Sequence, residues 1–245
     1  MAKLSTKGQI KGSVGPVSYH VYNDTVYIQS KPGKGNVKQT VATQKSASDF
    51  GRASSIAKAI RNSLFPILQN HSDNEFYRRF TARINTATQD GNPQPKGNRS
   101  LIDGNLSLLT AIDCNTASPF DSYCNLTPLI SLSSSRQLII TLPEFLVLEH
   151  ISAPAEATDA VLVFLVTAIH PDTNSESHSQ LFKLELPLKD SLIPAQEWTS
   201  IILPEGQLIL VASAVFYYRN NTLAGMVGLN GKEFHPCEVS RVLRG

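Results

Sequence analysis

Two stretches, "AVLVFLVTAI" at 160–169 and "LILVASAVFYY" at 208–218, carry almost no polar residue and limit the fold more than any other feature of the chain. Neither reaches the roughly 20 apolar residues that a membrane-spanning helix needs. A helix or strand with one wet face would show polar residues at a period of 3.6 or 2. These runs show neither, so they read as central strands covered on both faces. A chain of 245 residues, 41% apolar and 17% charged, can bury the layers this requires, in one large or two modest domains.

The surrounding segments agree. Residues 137–148, 180–187, 198–203 and 222–228 are apolar or alternating and are separated by Pro, Gly, Asn or Asp clusters. Strands punctuated in this way predict a mainly antiparallel β-sandwich over 101–245, immunoglobulin-like in the broad sense, with a division into two β subdomains left open. Trp198 reads as a strand anchor and Phe216 as core, while Tyr217 and Tyr218 read as caps on an exposed edge.

Upstream the period changes. Phe50, Ala53, Ala57, Ile60 and Leu64 fall at spacings of 3 and 4 on one helical stripe, and Ser46 with Asp49 resembles a capping box. Pro66 should end this helix near Phe65. A second helix is expected from Asp73, with Phe76, Phe80, Ile84 and Ala87 on one face and Arg78, Arg79 and Arg83 off it. The helical segment is thus 46–89, and "DGNPQPKGNRS" at 90–100 reads as a linker loop.

Residues 1–45 read as a basic hairpin and extended arm. Val17, Tyr19 and Val21 alternate with polar neighbours, Asn23-Asp24 interrupts, and Val26 and Ile28 resume the alternation. A two-residue turn there sets Val21 opposite Val26, Tyr19 opposite Ile28 and His20 opposite Tyr27, leaving one face apolar. Two strands alone are marginal in water, so that face needs a cover from its own chain or a neighbour. The fold class expected is therefore α+β: an N-terminal β-hairpin and two helices, followed by the antiparallel sandwich.

Net charge is +2, but residues 1–100 hold 15 Lys and Arg against 5 Asp and Glu, and residues 101–245 hold 7 against 15. This +10 and −8 division points to an interaction surface, or to attraction between the two parts. Catalytic patterns are missing. "KPGKGNVKQT" looks like a phosphate loop, yet G-x-x-x-x-G-K-[ST] does not occur, nor does G-x-S-x-G. The six histidines form no i, i+4 pair, and "HPC" at 235–237 reads as an apolar thiol beside a loop histidine rather than as two metal ligands. Cys114, Cys124 and Cys237 do not make a disulfide framework; reduced thiols are favoured, with a Cys114–Cys124 bridge left open. "MAKLSTKGQIKGS" has no apolar h-region, so a cytoplasmic protein is expected, with no cofactor, metal, membrane contact or small-molecule substrate.

The function expected is a non-enzymatic structural or scaffold protein that binds itself or another protein through its basic N-terminal part. The alternative is nucleic-acid binding, with Lys31, Lys34, Lys38, Lys45 and Arg52 on phosphates and Tyr22 and Tyr27 as stacking surfaces. Arg52 is also the residue chosen for a protein-partner contact, although solvation on the helix surface or an internal ion pair is the more ordinary role for an arginine placed there.

The blocks "IKGSVGPVSYH", "DFGRASSIAKAIR", "GNRSLIDGNLSLLTAIDCN", "PAEATDAV" and "ILVASAVFYYRNN", in that order, resemble a group of Bacteroidota proteins that share a hairpin, an F-G-R-A helix and a C-terminal β region. The chain departs from that pattern at the Asn23-Asp24-Thr25 turn and at Ile112-Asp113-Cys114. The resemblance implies a common architecture; no activity is attached to the group, so it implies no site.

Overall fold

The first sheet is built by two tight turns. In the computed structural model, which describes residues 2–6, 8–31 and 38–245, Asn23 and Asp24 have φ of 46° and 57°. Both are left-handed, as a two-residue I′ hairpin turn requires, and short polar side chains tolerate that region. The turn joins β3 (Val17–Tyr22) to β4 (Thr25–Ser30) with Val21 opposite Val26, Tyr19 opposite Ile28 and His20 opposite Tyr27, the register expected from the alternation. The hairpin is not alone. Gly15, at φ 53°, turns the chain with Pro16 so that β2 (Ile10–Val14) pairs with β3, and β1 (Lys3–Leu4) pairs with β2. The result is a four-stranded antiparallel sheet in the order β1-β2-β3-β4.

The chain divides into two compact units, 1–44 and 45–245, and the division falls within α1 (Val41–Ser63). This helix starts ahead of the expected Ser46. The Thr40 hydroxyl accepts the Thr43 N–H at 3.2 Å, so the Ser46–Asp49 pair lies inside the helix and caps nothing. Its buried stripe is Asp49, Ala53, Ile56, Ala57 and Ile60, continued by the buried Leu64 just past its end, while Phe50, expected on that stripe, is 54% exposed. The helix is turned so that Asp49 rather than Phe50 faces inward, for a reason given below. Pro66 sits in the first turn of α2 (Phe65–Leu68), where its missing N–H costs nothing, and a left-handed Gln69 ends that turn. The second long helix, α3 (Phe76–Gln89), buries Phe76, Phe80, Ile84 and Ala87 as its period predicts. Gly104 passes so close to its end that an added Cβ would lie 2.1 Å from the Ala87 carbonyl oxygen.

The rest of the unit is mostly strand: β5 (Ile112–Asp113), β6 (Leu129–Leu132), β7 (Gln137–Leu142), β8 (Phe145–Leu146), β9 (Asp159–His170), β10 (Ser175–Pro187), β11 (Leu192–Ile193), β12 (Gln196–Ile202), β13 (Leu208–Asn221), β14 (Gly225–Gly228) and β15 (Cys237–Arg244), with short helices α4 (Phe120–Tyr123) and α5 (Val147–His150) between. The main sheet runs β10-β9-β13-β15-β5, with β14 also on β13; β12-β7-β6 and β11-β8 form smaller sheets, and all pairings are antiparallel.

One side of β9 and β13, with Val163, Leu165, Leu210 and Ala212, shares a core with α1, α2 and α3. The other side, with Leu162, Phe164, Val211 and Tyr217, shares a core with Leu138, Ile140 and Leu142 of β7. Both unbroken runs are thus buried on two faces, in an α+β fold with several antiparallel sheets. Trp198 packs near Phe164 and Phe182, with ring centroids 5.6 and 6.3 Å away.

Two expectations need correction. Tyr217 does not cap an edge: it is fully buried and its hydroxyl donates to the Ser152 carbonyl at 2.7 Å. Strand parity separates it from Phe216 and Tyr218, which lie on the helix side. Loop 90–100 is also not a slack linker. The Asn92 amide donates to the Thr88 and Ser100 carbonyls at 2.8 Å each, and helices and strands of 45–245 form one unit. Among the described residues, no helix is long and apolar enough to cross a membrane.

Candidate functional site

Strand register divides the N-terminal sheet into two unlike faces. Val14, Val17, Tyr19, Val21, Val26 and Ile28 lie on one side, where Val14 pairs with Val17, Tyr19 with Ile28 and Val21 with Val26. None of these side chains is charged, yet Val14 is 58% and Ile28 68% exposed. The opposite side carries Ser18, His20, Tyr22, Thr25, Tyr27 and Gln29, with His20 opposite Tyr27 and Tyr22 opposite Thr25. On the neighbouring strands Lys3 stands directly opposite Lys11, and both are exposed.

The expected contact residues are spread over both units. Tyr22 and Tyr27 share the polar face, 68% and 53% exposed. Lys31 follows β4, exposed, with its N–H donating to the Pro16 carbonyl at 2.6 Å. Lys38 is exposed ahead of α1, and Lys34 lies outside the described residues. Lys45 and Arg52 belong to the second unit, whereas the tyrosines belong to the first.

Arg52 has an internal task. The buried Asp49 carboxylate accepts the N–H groups of Gly97 and Arg99 at 2.9 and 3.1 Å and a guanidinium bond from Arg52 at 2.9 Å. Arg52 in turn donates to the Arg99 carbonyl at 3.1 Å and to that of Gly97. Burial works against the charge, but the two N–H donors and Arg52 outweigh it and hold the Asp49 carboxyl below the usual range. This clamp fixes loop 90–100 on α1 and explains why Asp49 faces inward.

A second clamp escaped the sequence reading. Asp73 bonds Arg79 at 3.0 Å and accepts the N–H groups of Glu75 and Thr116. Despite the opposing cost of burial, these partners lower its carboxyl to about 2. Arg79 also donates to the Asp113 carbonyl at 2.8 Å, tying α3 to β5.

His235 lies in a loop ahead of β15, as expected, but that loop runs through the interior. His235 is fully buried, with Nδ1 accepting from the Asn230 amide at 3.0 Å and Nε2 donating to the Ile67 carbonyl at 2.8 Å. These bonds pin α2 against the sheet. The His71 ring meets it edge-on at 5.2 Å, and burial followed by that neighbour lowers the His71 pKa. Cys114 lies across from Cys237, its N–H donating to the Cys237 carbonyl at 2.7 Å, and burial pushes the Cys114 thiol up. All three cysteines are free and buried. Among the described residues, no group of three or more His, Cys, Asp or Glu side chains is arranged to hold a metal ion.

A cleft of about 530 Å³ is lined by Asp121, Cys124, Glu238, Ser240 and Arg241 among others. Glu238 stands opposite Asp113 in the β15–β5 pair, and burial first, then the charges of Asp113 and Asp121, raise its pKa.

No protein-family model matches this chain, and no curated protein matches it. The likeness to a Bacteroidota group therefore rests on the sequence blocks alone. Among solved structures, a crystal structure of Parabacteroides merdae β-glucuronidase with glycerol in its active site matches at 16% identity and a TM-score of 0.21. The match covers 46% of this chain and 12% of that one. Similarity at this level does not bear on fold or activity.

Proposed function

We propose that this chain is a non-enzymatic structural protein that assembles with itself through the apolar face of its N-terminal sheet. The observation that carries the reading is the row of Val14, Val17, Tyr19, Val21, Val26 and Ile28, an uncharged sheet face with large aliphatic side chains left exposed. Full burial of a valine or isoleucine stabilises by about 1.5–3 kcal/mol, so covering this row repays an encounter. A second copy of the same face is the fitting cover: two such sheets stack about 10 Å apart with side chains interdigitating, and no lysine of β3 or β4 enters the contact because those strands have none. The second unit, whose sheets we read as a sandwich in the broad immunoglobulin sense, is the rigid body that such an assembly displays. Three free, buried cysteines support a cytoplasmic location.

Light scattering on the full chain over a concentration series tests the reading. The expected mass rises to twice the 26.7 kDa of one chain, and Ile28→Lys or Val14→Lys returns it to one chain while circular dichroism stays unchanged. A wild-type protein that keeps the single-chain mass at the highest concentration overturns the proposal.

A further inference from the structure

The same sheet has a second face that core packing does not explain. Tyr22 and Tyr27 stand on the side that the alternation gives to solvent, 68% and 53% exposed, with His20 directly opposite Tyr27. A tyrosine on the apolar side, such as Tyr19, is accounted for by its place opposite Ile28 in the apolar row. Two tyrosines and a histidine among Ser18, Thr25 and Gln29 are not. The charges on the neighbouring strands are equally uneconomical for a sheet left in water. Lys3 lies directly opposite Lys11, and like charges at such a cross-strand position are unfavourable until an anion sits between or above them. Residues 1–44 contain six lysines and one acidic residue, Asp24, whose backbone and carboxylate at the turn both accept from the Gln9 amide.

We propose that this polar face binds single-stranded nucleic acid. Phosphates pair with Lys3, Lys11 and Lys31, and unpaired bases stack on Tyr22 and Tyr27, with His20 alongside. The aromatic component selects a single strand over a duplex, because in a duplex the flat faces of the bases are already stacked on each other. The lysine component selects a polyanion over a neutral peptide. The inference is independent of self-association: it uses the face opposite the apolar row, which the proposed face-to-face pairing does not use. It extends the sequence expectation by adding Lys3 and Lys11 and by setting aside Lys45 and Arg52, which belong to the other unit.

The test is fluorescence anisotropy of a labelled oligo(dT) about 12 nucleotides long with the full chain, at several salt concentrations. The expected result is binding that weakens as salt rises, with duplex DNA of the same length bound more weakly. Replacing Tyr22 and Tyr27 together by Ala should weaken oligo(dT) binding at least about tenfold, since stacking is worth roughly 1–3 kcal/mol per base. Replacing Lys3 and Lys11 by Gln should reduce the log–log salt slope by about 1.4, at roughly 0.7 per phosphate contact on a single strand. Both variants change exposed side chains, and circular dichroism with light scattering shows whether fold and assembly persist. No binding at low salt overturns the proposal. So does binding that inorganic polyphosphate matches and the tyrosine pair does not affect, which is adsorption by charge alone.

Discussion

The N-terminal sheet and the β9–β13 pair use the same antiparallel geometry to opposite ends. Every residue of β13 from Leu208 to Phe216 is buried, whereas every residue of β4 is exposed. The difference is written in period. β9 and β13 have lost their polar alternation because α1–α3 cover one side and β7 the other. β3 and β4 keep a strict alternation, so they carry an apolar side and a polar side. A strand covered on both faces reads as a run, and a strand with two unlike faces reads as a stripe.

Breaking the covered half should cost most. Leu165→Ala, at a fully buried position of β9, should cost about 2–5 kcal/mol in chemical denaturation. Asp49→Ala leaves the Gly97 and Arg99 N–H groups, and the half-exposed Arg52 guanidinium, without their acceptor, and donors left unsatisfied in this way cost about 1–3 kcal/mol. Thermal melting of residues 45–245 should drop, with loop 90–100 becoming the first site of proteolysis.

A smaller effect comes from Asp73. Its folded carboxyl, at about 2, lies below the ordinary 3.8, so its contribution is fully present above pH 4 and is lost as pH falls through 4 towards 2. With its side chain 18% exposed, we expect about 1–2 kcal/mol to disappear over that window. Asp73→Asn should flatten this part of the stability–pH curve. The smallest effect on monomer stability belongs to Ile28→Thr: a 68% exposed site should lose less than about 0.5 kcal/mol, while association weakens measurably. A large loss of monomer stability at Ile28 would mean that the apolar face already has its cover.

Much of this was legible in the chain. The β3–β4 register followed from alternation and the Asn23-Asp24 turn, and the α3 stripe followed from the spacing of Phe76, Phe80, Ile84 and Ala87. The burial of β9 and β13 on both faces followed from composition alone. What escaped depended on distant partners. Asp49 looked like a cap because Ser46 stands three residues before it; only Gly97 and Arg99, about fifty residues on, make it a buried clamp. Tyr217 looked like an edge residue because its neighbours are aromatic, and the Ser152 carbonyl that satisfies its hydroxyl is 65 positions away. His235 drew notice through "HPC", but its place inside depends on Ile67 and Asn230. On the candidate surface, Tyr22, Tyr27 and Lys31 were readable, whereas the Lys3–Lys11 pair was not, because β1 is two residues long and carries no period.

Amide hydrogen exchange of the full chain at low and high protein concentration tests the contrast most directly, since both halves are read in one sample. If the apolar face of the N-terminal sheet is covered by a second copy, protection in β3 and β4 rises with concentration while that in β9 and β13 stays constant. Protection in β3 and β4 that does not change with concentration would contradict the account.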